Sequence, residues 1–382
     1  MSPAGGGPGR HAPGPAGDGA VVGAAGRGAS PGARAPVLVA RLDNAGDVLL
    51  AGPAVRAAGA GGRPVHLLCG PRGRAAAELL PGVAGIATWH APWIEADPMA
   101  VDEADARRLV DRVRALGATD AAILGSSHQS PLPLALLLRW AGVARVAAVS
   151  HDHAGSLLDV RIPGDPDVHE VRRGLLVTEA LGFPSPADDR LAVDRGGGDL
   201  PPDVAAALPP PGAGYVVVHP GASVPARTLP PERWREVVGA VAAAGRRVVV
   251  TGGREEVSLT RAVLGEPTGV IDLGGRLTLG QLGTVLAGAD AVACGNTGPM
   301  HLAAAVGTPV VAAFPPTVPL GRWHPWRVPH VVLGDQGVPC AGCRARVCPR
   351  PEQVCLAAVT AADVVDALER LSPLGRPGTV AP

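Results

Sequence analysis

Short apolar runs recur along the chain between stretches of helical periodicity. Val37 to Ala40 is a continuous apolar run of strand length, the pattern of a strand covered on both faces, as in a parallel sheet. A polar loop follows from Arg41 to Gly46, and from Asp47 a helical pattern runs to about Ala58. Val65 to Cys69 predicts the next strand, then a helix over Gly73 to Leu80, and Ile86 to Thr88 reads as a weak third strand. Asp102 to Leu116 predicts an amphipathic helix with Leu109, Val113 and Leu116 on one face. Strands at Ala121 to Leu124 and Val146 to Val149 flank an apolar helix, Leu132 to Trp140. A helix from His169 to Leu181 closes this half.

Pro and Gly dominate residues 194–213, and such a segment reads as an interdomain linker. The alternation then restarts. Strands are expected at Tyr215 to His219, Arg247 to Thr251, Val270 to Asp272, Ala291 to Cys294 and Val310 to Phe314. Helices are expected at Pro231 to Ala244, Glu255 to Leu264, Leu279 to Ala287, Gly298 to Val306 and Ala361 to Leu371. The chain is therefore α/β, with two doubly wound, Rossmann-like domains over residues 36–193 and 214–371. Ligands of open α/β sheets bind at the carboxyl ends of the strands, which places a cleft between the two halves. Residues 1–35, rich in Gly, Pro and Ala, read as a disordered tail, and 372–382 as a second tail.

Composition sharpens this picture. A length of 382 residues suffices for two domains, and an aromatic share of 2% means that their cores are built from Ala, Val and Leu. Basic and acidic residues balance at 34 each, which argues against broad attraction to nucleic acid or anionic lipid as the main activity. The sequence has no lysine, so all 34 basic residues are arginine. Schiff-base chemistry is excluded, and any bound phosphate must be met by Arg, backbone N–H or hydroxyl groups. The most apolar run, Leu132 to Leu138, is short and stops at Arg139, and no apolar leader core is visible. A cytoplasmic location is expected, with peripheral membrane contact left open. Of six cysteines, Cys69 and Cys294 read as core. Cys340, Cys343, Cys348 and Cys355 cluster with a spacing open to a structural metal, disulfides or free thiols.

Candidate chemistry lies in three loops, each directly after a strand. In Arg41-Leu42-Asp43-Asn44-Ala45-Gly46-Asp47, the glycine permits a tight turn and Asp47 opens the helix, either as a first-turn carboxylate or as a general base on a substrate hydroxyl. His219-Pro220-Gly221-Ala222-Ser223, with Arg227 following, combines a Gly loop, a hydroxyl and a cation, which suits phosphate. In Gly295-Asn296-Thr297-Gly298-Pro299-Met300-His301, free N–H groups at a helix start and the Thr297 hydroxyl could receive a diphosphate. His301 alone reads equally as a satisfied core histidine.

Taken in order, these motifs resemble glycosyltransferase family 9, the heptosyltransferases that use ADP-heptose. The resemblance covers most of residues 36–371. It is carried by Arg41 through Leu50 with Pro53, by HPGASVPARTLPPERW at 219–234, by TGGREE at 251–256, and by GNTGPMHLAAAVGTPVVAAFPPT at 295–317. The surroundings of Trp323 and Pro325 and the four-cysteine cluster are also similar. The resemblance implies a GT-B fold whose C-terminal half binds a nucleotide-sugar donor. Asp47 then matches the catalytic base, and Ser223 and Arg227 match the phosphate-binding hydroxyl and cation. Thr297, Gly298 and His301 match the donor loop, and Glu255 or Glu256 the nucleoside contact.

Two positions depart from the family. Arg227 stands where lysine is typical, keeping the charge with a different geometry. Asn296 stands where aspartate is usual; it can still hydrogen-bond a sugar but cannot act as a base. The implied activity is inverting transfer of a heptose or related sugar to a hydroxyl of a glycan or small-molecule acceptor. No nucleic-acid partner and no required cofactor are expected. Asp188-Asp189, the one acidic pair near the linker, reads as surface. A catalytically impaired sugar-nucleotide-binding module, or a GT-B-like enzyme such as an epimerase, are the alternatives. The acceptor is not legible: the loops Ser126 to Pro131 and His151 to Gly155 carry no distinctive pattern.

Overall fold

The computed structural model describes residues 35–94, 98–164, 167–194, 198–265, 269–350 and 352–374. The tail expected over residues 1–35 lies outside the described residues except for its last position, as does 375–382 of the second. The N-terminal sheet has strands β1 (Val37–Arg41), β2 (Val65–Cys69), β3 (Val83–Thr88), β4 (Asp120–Ile123), β5 (Arg145–Ser150) and β6 (Val160–Pro163). They lie all parallel in the order β3-β2-β1-β4-β5-β6. The C-terminal sheet has β7 (Val216–His219), β8 (Val248–Val250), β9 (Val270–Asp272), β10 (Ala291–Gly295), β11 (Val310–Ala313) and β12 (His330–Leu333). Its parallel order is β12-β11-β10-β7-β8-β9. Two doubly wound sheets are thus present, as the apolar alternation implied.

Strand pleating explains why the runs are continuously apolar. In β1, Val37 and Val39 enter one core and Leu38 and Ala40 the other. In β7, Val217 faces one way and Val216 and Val218 the opposite way. Each fully buried Val or Leu contributes about 1.5–3 kcal/mol of transfer free energy. A smaller apolar seam joins the halves: Leu50, Ala57, Val171 and Leu175 of the first pack with Ala304 and Ala305 of the second.

Several expectations are corrected. The helix expected from Asp47 to Ala58 is two helices, Ala45–Leu50 and Gly52–Gly59, parted at Ala51. Pro53 has no N–H to donate to the Leu49 carbonyl, so the ladder stops there. Gly73 to Leu80 holds only a 3-10 turn, Pro71–Gly73, and the short helix Arg74–Ala77. Glu255 and Glu256 belong to a 3-10 turn, Arg254–Glu256, ahead of the helix Val257–Leu264. Two edge strands, β6 and β12, were not expected. The linker is not free chain: Pro202–Ala207 is helical and buries Val204. It is tied to the helix Leu279–Ala287 by Thr284 Oγ1, which donates to the Gly198 carbonyl at 2.7 Å. Asp189 is no simple surface residue either. Its carboxylate pairs with Arg327 at 2.8 Å and its carbonyl accepts from Trp326 Nε1 at 2.9 Å, joining the halves.

Candidate functional site

Both sheets reverse their winding at the first strand, β1 beside β4 and β7 beside β10. The loops after these four strands carry the chemistry, as the switch-point rule requires. After β1 comes the helix Ala45–Leu50 with Asp47 in its first turn. After β10 comes the helix Gly298–Val306, with Thr297 at its N-cap and Pro299 near its start. The two helix starts meet across the cleft. A Cβ on Gly46 would stand 3.0 Å from His301 Cδ2 and 3.2 Å from Gly298 Cα, so a side chain here would press the two helix starts apart by a few tenths of an ångström.

Asp47 is oriented by a buried charge cluster. The Arg41 guanidinium contacts Asp47 at 2.8 Å, Asp43 at 2.8 Å and Glu170 at 3.1 Å, and donates to Ser126 Oγ at 3.0 Å. Glu170 arrives from the helix Glu170–Ala180, which starts just after its N-cap residue His169. Gln129, from the loop after β4, donates to Asp43. Burial disfavours the Arg41 charge, but the three carboxylates more than reverse this and raise its pKa. Burial pushes Asp43 up to about 6 against the opposing pull of Arg41. Asp47, the most exposed of the three carboxylates at 21%, faces the cleft. One arginine thus holds three acids and leaves one of them presented to a ligand.

The donor-side loops interlock. The Asn296 backbone N–H donates to the Arg227 carbonyl at 2.9 Å, and a Cβ on Gly295 would meet that carbonyl at 2.5 Å. Glycine at 295 therefore lets the phosphate-type loop lie directly on the helix start. Several buried polar atoms here have no hydrogen-bond partner among the described residues: Arg227 Nε, Asn296 Nδ2, His301 Nδ1 and Thr317 Oγ1. The Thr297 side chain makes no capping bond. Unmatched buried polar groups are costly, and such a set invites a ligand rich in oxygen. Burial pushes His301 down to about 4, against Asp47, so the imidazole is neutral near pH 7.

Ser223 lies exposed in the loop after β7. Glu255 and Glu256 both border a cavity of about 820 Å³ that also touches Pro225, Leu229 and Cys348. The two differ in role. Glu256 is turned inward, accepts from the Gly253 amide at 2.7 Å and lies 3.7 Å from His219 Nε2. Glu255 is exposed at the cavity edge. The structure thus brings Asp47, Arg227, Asn296, Thr297, Gly298 and His301 to one cleft, with Glu255 and Glu256 at a cavity beside it.

The cysteine cluster is looser. Cys343 is exposed, Cys340 and Cys348 half-buried, Cys355 buried, and all are free thiols. Burial raises the Cys355 thiol, helped by the other three. Among the described residues no group of three or more His, Cys, Asp or Glu is arranged to hold a metal.

Sequence reasoning missed Glu170 altogether. It named the loop holding Ser126 and Gln129 without giving either a role, and it quoted Thr317 only as the last residue of the 295–317 motif. Glu170 carried no signal, since it is 129 positions from Arg41.

The family model described as glycosyltransferase family 9 (heptosyltransferase) matches residues 112–353. Lipopolysaccharide heptosyltransferase 1 of Pseudomonas aeruginosa is 32% identical over 231 residues, 58% of this chain and 61% of that protein. The matches span 50% and 61% of the lengths of the first two curated relatives. A Veillonella parvula glycosyl transferase family 9 structure is similar with a TM-score of 0.70 at 16% identity, over 88% of this chain and 96% of that chain. An Escherichia coli heptosyltransferase solved with ADP-2-deoxy-2-fluoro heptose gives 0.64 at 20% identity, over 88% and 99%. The two-sheet fold is therefore the GT-B arrangement of these enzymes.

Proposed function

Because this chain belongs to glycosyltransferase family 9, we propose that it is an inverting glycosyltransferase acting on a nucleoside-diphosphate sugar. The observation that carries the reading is the meeting of two halves. A carboxylate fixed by Arg41 stands against a helix start ringed by unmatched polar groups. ADP-heptose is the donor we assign, supported by the ADP-heptose analogue held by a structural neighbour. The acceptor is a hydroxyl of a glycan or small molecule entering from the N-terminal half.

Asp47 takes the proton of the acceptor hydroxyl as its oxygen attacks the anomeric carbon. The bond from that carbon to the phosphate oxygen breaks, and its electron pair leaves with the diphosphate. Arg227, the Thr297 hydroxyl and the N–H groups of the Gly298–Val306 helix meet the developing negative charge. Asn296 and neutral His301 hydrogen-bond sugar hydroxyls, and Glu255 takes a nucleoside hydroxyl. Asn296 lacks the charge of the usual aspartate, so the sugar is held by hydrogen bonds alone. Loss of a general base costs about 10²–10⁴-fold in rate. Asp47→Asn should lose kcat on that scale while ADP affinity, read by calorimetry, stays near wild type. Full turnover by Asp47→Asn would remove the base assignment.

A further inference from the structure

The segment carrying the four cysteines is built onto the phosphate loop. The Ala226 amide donates to the Arg346 carbonyl at 3.0 Å, and the Ala226 carbonyl accepts from Gln353 Nε2 at 2.7 Å. Both backbone groups beside Arg227 are therefore held by this segment. At its tip, Arg344 adopts φ 53°, a left-handed conformation uncommon for a residue with a side chain. The turn is pinned from β11's end: the Gly342 amide donates to the Pro316 carbonyl at 2.6 Å and the Arg344 amide to the Thr317 carbonyl at 3.0 Å.

That turn aims the Arg344 guanidinium across the cleft, where Nη2 donates to Ser127 Oγ of the other half at 3.4 Å. Its charge acts on both His128 and Arg227. No carboxylate pairs with Arg344 among the described residues. Thr317, whose carbonyl accepts from the Arg344 amide, is 3% exposed, and its hydroxyl has no partner among the described residues. Two cations that repel one another, with an unmatched buried hydroxyl beside one of them, form a site for an anion bearing more than one charge.

Resting on the reading above, we propose that Arg344 and Thr317 grip the leaving diphosphate opposite Arg227, making the cysteine-rich segment part of the donor site. In the transfer step, the electron pair released from the sugar–oxygen bond ends on the phosphate nearest the sugar. That phosphate is the one Arg344 meets. Arg227 and the helix start meet the same diphosphate from the opposite side.

The test compares ADP and AMP binding by titration calorimetry in wild type, Arg344→Ala, Arg344→Lys and Thr317→Val. Arg344→Ala should weaken ADP at least 10-fold and AMP less than 2-fold. Arg344→Lys should recover part of the ADP loss, and Thr317→Val should weaken ADP about 3- to 10-fold. Unchanged ADP affinity in Arg344→Ala overturns the proposal. So does an equal loss for ADP and AMP, which would mark collapse of the loop and not a lost contact. A wild-type chain that binds neither ADP nor GDP nor UDP overturns the functional reading, and this proposal with it. Wild-type binding of ADP that is indifferent to residue 344 overturns the proposal alone.

Discussion

At the scale of single residues, Arg41 decides how Asp47 behaves. It is 4% exposed and forms ion pairs with three carboxylates at once. Removing one partner from a buried ion network leaves uncompensated charge and costs about 3–5 kcal/mol. Arg41→Ala should lose stability on that order in urea denaturation, and Arg41→Lys distinctly less. A near-neutral Arg41→Ala would mean that the acids simply take up protons. Asp47 itself was legible in the sequence because its signal is local: a strand, a glycine turn and a helix start within ten positions. Its supports were not. Ser126 and Glu170 lie 85 and 129 positions from Arg41, and only the sheet order brings them together. The choice between Glu255 and Glu256 was likewise invisible, because adjacent acids differ only in which way the turn points them.

At the scale of elements, the approach of the helices Ala45–Leu50 and Gly298–Val306 sets the geometry of the cleft. The two glycines at their starts are not equivalent. A Cβ at 46 presses tightly on the neighbouring helix, at 3.0 and 3.2 Å, whereas one at 298 makes ordinary contact, 3.7 Å from the Gly46 amide. Gly46→Val should therefore reduce transfer more than 10-fold with an essentially native circular dichroism spectrum. Gly298→Ala should stay within about 3-fold of wild type. Equal effects of the two substitutions would show that the approach does not matter. Central strands such as β1 and β7 were legible because burial on both faces leaves an unbroken apolar run. The edge strands β6 and β12 were not: Val-Arg-Ile-Pro and His-Val-Val-Leu are only partly covered, and Arg161 and Pro163 break the apolar run of the first. The helical periodicity after Asp47 was real, but it ran through Pro53, where the backbone could not follow.

At the scale of the whole molecule, the halves are joined by a histidine-rich seam as well as by the ligand cleft. His169 Nε2 donates to the His324 carbonyl at 3.0 Å, and its ring stacks on Trp326 with centroids 4.3 Å apart. Burial pushes His169 down to about 3, and His219 and His301 down to about 4. A group whose folded pKa is depressed binds its proton more readily when unfolded. These histidines therefore contribute stability that is present above about pH 6.5 and lost as pH falls towards 4. Asp43, raised to about 6, works in the opposite sense between about pH 4 and 6, favouring the fold when protonated. Together these four groups give an uptake of about two protons on unfolding near pH 5. That corresponds to a slope of about 2.7 kcal/mol per pH unit. Thermal unfolding from pH 7 to 5 should show the midpoint falling steeply, and His169→Gln should flatten the slope. A midpoint independent of pH in this window would contradict the assignment.

The meeting of the two helix starts has one more consequence. Positions 46 and 298 belong to opposite halves and approach each other through bare backbone. Main-chain atoms have no rotamers with which to readjust. The spacing of the two loops at this point therefore cannot be retuned by repacking side chains, and the two halves share one fixed point of contact beside Asp47.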